Sequence, residues 1–178
     1  MFALDNFYPN ENELENFFHE YIWQGKIQLV FNNVGSDEET HAHSWSSNLD
    51  AENFEQVEFI NNLYKRVVKF ENVLNCKIKK WHANIYPSGF DGTIHTDYNE
   101  ANKPTFLFCS NSRWEPEWGG EFIIYNDQKE AIKVFSYKPN RLIVFDGRLP
   151  HRAVAPTRVS SLLRSTIAFQ CETNDYSS

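Results

Sequence analysis

The run from Pro139 to Phe169, PNRLIVFDGRLPHRAVAPTRVSSLLRSTIAF, decides what kind of fold this chain takes. RLIVF and RSTIAF are dense in branched and aromatic residues, the composition of half-buried strands. The cluster DGRLP between RLIVF and His151 supplies turn backbone. The same rhythm extends back to Lys77. Strands are expected near 78–86, 92–98, 104–110, 120–125, 131–137, 141–146, 152–156 and 162–171, parted by PSG, NEANKP, EPEWGG, NDQKE, KPN and DGRLP. Each separator holds Gly, Pro, Asn or Asp, which tolerate the backbone angles that turns require. Short strands at this spacing predict a sandwich or barrel rather than alternating strand–helix units.

Upstream of that core the text is mixed. Asn10 precedes Glu11 and Glu13, a capped and acidic helix start, and Leu14, Phe17, Phe18 and Tyr21 form its apolar face. Gly25 ends that segment and KIQLVFNNV reads as a strand. The polar stretch 32–47 is expected to be a loop. A longer helix is expected from Asp50, with Phe54, Val57, Leu63, Tyr64, Val67, Val68 and Leu74 mostly three and four apart. The expected organisation is one domain over 1–178, a helical preface to about 75 and a β core from about 77 to 171.

Composition narrows the function. The chain has 178 residues, 24 acids against 17 bases and a net charge of −7, so general binding to a phosphate backbone is disfavoured. No apolar run is long enough to span a bilayer, and the first residues lack the basic and apolar segments of a secretory signal. Cys76, Cys109 and Cys171 are odd in number and widely spaced, as expected of reduced thiols in a cytoplasmic protein. No helix suggests a dimer seam, so a monomer is expected.

In GTIHTDYN, His95 and Asp97 stand two apart in an expected strand and so leave the same face. His151 follows the strand RLIVFDG, 56 positions beyond His95 (151 − 95). Two imidazoles and one carboxylate fill one face of an octahedral metal and leave the other open, the donor set of non-haem Fe(II) oxygenases. His-x-Asp alone is a short motif that also occurs by chance in surface turns.

The ordered set IYPSGFDGTIHTD, WEPEWGGEFIIY, PNRLIVFDGRLPHRAVAP and LRSTIAF, over about residues 81–170, resembles the Fe(II)- and 2-oxoglutarate-dependent dioxygenases, particularly their prolyl 4-hydroxylase-like branch. The resemblance implies an α+β, mainly β fold: a double-stranded β-helix (jelly roll) with the N-terminal helices packed on one sheet. It implies that His95, Asp97 and His151 hold Fe(II), that Arg164 pairs with the distal carboxylate of 2-oxoglutarate, and that O2 is the second co-substrate. The implied reaction is hydroxylation of an unactivated C–H bond, first of all in a prolyl or other residue of a peptide or protein, with release of succinate and CO2. A small-molecule substrate is the alternative. Related halogenases lack the carboxylate found here at Asp97, which points to hydroxylation.

The residue chemistry agrees with those roles. A guanidinium grips a carboxylate through two parallel hydrogen bonds. Thr166, two residues along the strand from Arg164, should face the same way and donate to that carboxylate. Tyr86 matches the family tyrosine that precedes the metal motif, which implies a contact between its phenol and 2-oxoglutarate; a packed strand aromatic is the alternative. Two features depart from the family. The spacing from His151 to Arg164 is 13 (164 − 151), which keeps Arg158 as a second candidate. The strand TFLFCSN carries Phe106, Phe108 and Cys109 where some relatives have a co-substrate-binding tyrosine.

Other residues invite weaker readings. His41 and His43 are expected in a surface or lid loop, with Trp45 beside them, rather than in a second metal site. His19 and His82 read as structural. Trp114 and Trp118 either line the mouth of the site or cover a sheet edge, and Gly119–Gly120 permits a bulge between them and the next strand. Arg148 reads as a solvated turn residue and Arg152 as pointing away from His151. Two rival functions remain: a non-catalytic jelly roll binding a carbohydrate or other ligand, and a cupin-like metalloenzyme without 2-oxoglutarate.

Overall fold

A computed structural model describes residues 1–26, 30–32, 44–48, 57–100 and 103–173. Ten strands are described: β1 (Phe2–Leu4), β2 (Val30–Asn32), β3 (Ser44–Asn48), β4 (Cys76–Tyr86), β5 (Pro104–Cys109), β6 (Phe122–Tyr125), β7 (Ala131–Phe135), β8 (Leu142–Asp146), β9 (His151–Ala153) and β10 (Arg164–Thr173). They form a seven-stranded sheet in the order β1-β8-β5-β10-β4-β3-β2 and a three-stranded sheet in the order β7-β6-β9. Every strand pairing is antiparallel.

Strand alternation divides the large sheet into two unlike faces. On one face Trp81, Ala83 and Ile85 of β4, Phe106 and Phe108 of β5, Leu142 and Val144 of β8, and Ile167 and Phe169 of β10 pack against the helices. On the other, Leu107, Ile143, Phe145 and Ala168 meet Phe122, Ile124 and Phe135 of the small sheet. The same parity turns Tyr86, Thr166 and Arg164 into the space between the sheets, where they line a cavity. Apolar residues at alternate positions thus fix which polar ones face inward.

The helices follow from local signals. Helix α1 (Glu11–Phe17) starts at Asn10, whose side chain accepts from the Glu13 amide at 3.3 Å, and it buries Leu14 and Phe17. It runs on through a wide turn, Phe18–Trp23, and stops at Gly25, whose φ of +70° suits glycine. Helix α2 (Glu58–Val67) buries Phe59, Ile60, Leu63 and Val67 on one face. A tight turn, Val68–Phe70, leads to α3 (Glu71–Leu74), which ends at Asn75 in the left-handed conformation.

Three expectations change. Segment 92–98 is not a strand: it makes one isolated bridge, His95 to His151. Its backbone is held by turn and loop contacts, including Gly92 and Asp97 amides bonded to Ala153 and Gly147 carbonyls, so no ladder extends along it. The expected 32–47 loop contains part of β3, because Ser44–Asn48 adds to β4 despite its polar composition. An added strand draws its hydrogen bonds from the neighbouring backbone, which composition does not report. Strand β1 was not foreseen; three residues suffice because β8 offers an edge. His41, His43 and Phe54 lie outside the described residues, as does much of KIQLVFNNV.

Asp5, just after β1, binds Arg141 Nε at 2.6 Å and Lys138 Nζ at 2.7 Å. The bond to Arg141, then that to Lys138, lowers its pKa to about 2. Its contribution is therefore present above the unfolded carboxylate value of about 4 and is lost as pH falls toward 2. The pair is partly exposed, so Asp5→Asn should cost less than about 1 kcal/mol at pH 7. In urea melts the difference from the parent should shrink between pH 4 and pH 2; a gap that stays constant would mean that charge is not its source.

Candidate active site

His151 opens β9, and the isolated bridge sets His95 directly opposite it: each amide donates to the other's carbonyl, at 3.0 and 2.9 Å. The two rings consequently lie on one side, with centroids 4.4 Å apart. Asp97, two residues on, is fixed because its amide donates to the Gly147 carbonyl at 2.8 Å. Gly147 is needed there, since a Cβ would stand 2.6 Å from the Tyr98 ring and 3.0 Å from Thr105 Oγ1. One potential ligand atom from each of His95, Asp97 and His151 lies within 4.8 Å of the others. His95 Nε2 is 4.0 Å from Asp97 Oδ1, and His151 Nε2 is 3.8 Å from Asp97 Oδ2.

Each of these groups is oriented from behind. His95 Nδ1 is 3.0 Å from the Thr93 carbonyl and His151 Nδ1 is 2.8 Å from that of Leu149. A carbonyl accepts, so Nδ1 carries the proton and Nε2 keeps its lone pair for a metal. Burial pushes the His151 pKa down to about 4, which keeps the imidazole neutral. The ring sits between Phe122 and Phe145. Thr105 Oγ1 donates to Asp97 Oδ2 at 2.5 Å and Gln170 Nε2 donates to Oδ1 at 2.8 Å, so both carboxylate oxygens have fixed directions.

Arg164 starts β10, pairs with Tyr86 of β4 in register, and is 1% exposed. Its Nε donates to the Gly120 carbonyl at 2.9 Å, while both terminal nitrogens are buried without a hydrogen-bond partner. The guanidinium carbon lies 5.5 Å from the Tyr86 ring centre and 5.1 Å from that of Tyr137. No carboxylate pairs with it among the described residues. A buried unpaired cation is costly, and an arriving carboxylate would satisfy both idle nitrogens at once. Thr166 and Tyr86 line the same cavity, as do the three candidate metal ligands. Arg158 is exposed in a turn and does not line it.

Several supporting residues escaped the sequence reading. Tyr137 Oη lies 2.6 Å from Asn111 Oδ1 and 2.5 Å from the Ser165 carbonyl, sharing its proton between two acceptors. Burial holds this phenol well above 10. The Ser165 amide donates to Asn111 Oδ1 at 2.8 Å, so this network anchors the residue next to Arg164. Tyr137 follows β7 and carries no periodic signal. Gln170 was findable, since it shares strand parity with Arg164. His82 was read as structural; it lines the cavity, and burial lowers its pKa to about 4.

Trp114 and Trp118 do not line the cavity. Trp114 packs against Tyr137 with centroids 4.5 Å apart and the rings tilted by 49°, and it donates to the Gly119 carbonyl at 2.9 Å, so it backs the Arg164 wall. Gly119 and Gly120 both have positive φ, +67° and +82°. Arg148 pairs with Asp146 at 3.0 Å, and Arg152 is outside the cavity lining. A Cβ on Gly120 would lie 3.0 Å from Trp114 and 3.3 Å from Arg164 Cδ. Gly120→Ala should therefore weaken 2-oxoglutarate binding about tenfold and leave iron binding intact, as measured by anaerobic titration. Unchanged affinity would show that this carbonyl does not place the guanidinium.

Residues 81–169, half of the chain, match the 2OG-Fe(II) oxygenase superfamily. The chain belongs to that superfamily and is a 2-oxoglutarate-dependent dioxygenase, whose cofactor is Fe(II) and whose co-substrates are 2-oxoglutarate and O2. This sets aside the two rival functions. Among solved structures, a Pseudomonas putida prolyl-4-hydroxylase superposes with a TM-score of 0.69 at 17% identity, covering 95% of this chain and 90% of that one. A viral collagen prolyl hydroxylase from Paramecium bursaria Chlorella virus-1, in complex with 2-oxoglutarate, gives 0.66 at 15%, covering 97% and 95%. A Burkholderia pseudomallei oxidoreductase of the 2OG-Fe(II) oxygenase family gives 0.63 at 14%, covering 86% and 77%. These likenesses establish the jelly-roll fold. No curated protein matches the sequence.

Proposed function

We propose that this chain hydroxylates an unactivated C–H bond in a prolyl or other residue of a peptide or protein, converting 2-oxoglutarate and O2 to succinate and CO2. In this reading His95, Asp97 and His151 hold Fe(II), and Arg164, Thr166 and Tyr86 hold 2-oxoglutarate. The observation that carries it is a buried guanidinium with two unpartnered nitrogens in the same cavity as a His-Asp-His cluster. A donor set of two neutral imidazoles and one carboxylate suits Fe(II), and the two idle N–H groups suit a carboxylate. When bound, the iron couples O2 reduction to oxidative decarboxylation of the co-substrate.

The chain's own groups supply orientation. Arg164 fixes the distal carboxylate, and Tyr86 and Thr166 bound its path along the β4–β10 wall. The backbone carbonyls of Thr93 and Leu149 keep both imidazoles in the ligand tautomer. Asp97, held on both oxygens, occupies the position whose loss would open a halide site, which supports hydroxylation. The likeness to two prolyl hydroxylases supports a peptidyl substrate.

The three cysteines are buried and free, which supports a reducing, cytoplasmic setting. No described helix is long and apolar enough to cross a membrane. We treat the chain as one catalytic domain acting as a monomer, without a nucleic-acid partner. Mass spectrometry of proline-containing peptides and free amino acids after reaction tests the substrate class. A gain of one oxygen on peptides is expected; a gain confined to free metabolites would remove the peptidyl reading.

A further inference from the structure

His82 sits on β4 with its side chain among the residues that line the cavity, yet it belongs to no metal-ligating cluster among the described residues. Its Nδ1 is buried without a hydrogen-bond partner. A ring nitrogen in that state is unfavourable unless a bound molecule supplies the partner. Facing it across the ladder on β10 is Ala168, too small to fill the space or to offer a polar group.

Position along the ladder says which molecule. Arg164 opposes Tyr86, Thr166 opposes Asn84, and Ala168 opposes His82, three successive rungs on one face. Gln170, on the same face one step further, reaches Asp97 at 2.8 Å. The His82 rung therefore lies at the metal end, about 13 Å of strand from Arg164 at 3.3 Å per residue. The five-carbon diacid is shorter than that separation, and the long Arg164 side chain and the His82 ring must lean toward each other to close the rest. A diacid gripped by Arg164 and directed toward the His-Asp-His cluster then presents its second carboxylate to this rung.

We propose that His82 is a co-substrate-binding residue whose Nδ1–H donates to the metal-proximal carboxylate of 2-oxoglutarate. The inference rests on the proposed function and adds a contact at the opposite end of the diacid from Arg164. It makes His82 a selector for 2-oxo acids over ketones that lack this carboxylate.

The test uses the full chain, loaded anaerobically with Fe(II). 2-Oxoglutarate is titrated by its visible charge-transfer absorption. 4-Oxopentanoate, in which a methyl group replaces the metal-proximal carboxylate, is titrated by competition. His82→Leu should bind 2-oxoglutarate about tenfold more weakly and shift the absorption maximum, because a charge-assisted hydrogen bond is lost. Its affinity for 4-oxopentanoate should stay within about twofold of the parent. His82→Asn, whose amide nitrogen reaches the same place as Nδ1, should recover most of the loss. His82→Met serves where leucine disturbs folding.

Equal weakening of both ligands would reduce His82 to a packing residue. An unchanged 2-oxoglutarate affinity, or an effect confined to the hydroxylated substrate, would overturn the assignment. A parent protein that binds Fe(II) but gives no absorption change with 2-oxoglutarate would overturn the underlying co-substrate site as well.

Discussion

Arg164→Ala should raise the 2-oxoglutarate requirement by about a hundredfold to a thousandfold while iron stays bound, because a desolvated, bidentate charge pair is worth about 3–5 kcal/mol when one partner is removed. A second sign is more diagnostic. In the ligand-free protein the guanidinium is 1% exposed with two idle nitrogens, so its removal relieves an unpaired buried charge. The ligand-free melting temperature of the variant should therefore match or exceed that of the parent, whereas the rise caused by 2-oxoglutarate should vanish. Arg164→Lys keeps the charge but loses the fork, and should fall between the two. Arg158→Ala should behave as the parent. Equal 2-oxoglutarate affinity in Arg164→Ala and the parent would place the co-substrate elsewhere.

Asp97→Ala should lower turnover at least about a thousandfold and abolish Fe(II) binding at micromolar metal. The only anionic group of the cluster is gone, and Thr105 and Gln170 lose the acceptor that they share. His95→Ala and His151→Ala should match it in turnover. Gln170→Leu frees one carboxylate oxygen and keeps the ligand, so its expected cost is about tenfold to a hundredfold in metal affinity. Full iron binding by Asp97→Ala, read by anaerobic metal titration, would remove that residue from the ligand set. If Gln170→Leu were silent, the hydrogen bond at 2.8 Å would not orient the carboxylate.

The separation of legible from illegible parts follows the range of the interactions involved. Strand parity is local: alternation in RSTIAFQ was enough to put Arg164 and Thr166 on one face, and extending it by four residues would have added Gln170. Helix α1 was equally readable from the cap at Asn10 and the acids at Glu11 and Glu13. The segment around His95 was misread as a strand because its residues have strand propensity. Its conformation depends on single backbone contacts with Ala153, His151 and Gly147, all more than 45 residues away in the chain. Tyr137 left no trace, since an aromatic just beyond a strand can pack anywhere. His82 was assigned a structural role because histidine on a strand has no signature that separates a packed ring from one left without a partner.

Alternating apolar residues and turn clusters by themselves determined a mainly β chain with a helical start, and short motifs that resemble those of the family pointed to His95, Asp97, His151 and Arg164 as the chemistry-bearing residues. Those features depend on neighbours within a few residues, where propensity and periodicity act. Only the tertiary structure decided that the first three stand within 4.8 Å of one another and that Arg164 is buried with its fork empty. Both facts arise from pairing between distant strands, whose register is set by the packing of two opposed sheets and is written in no single stretch of the chain.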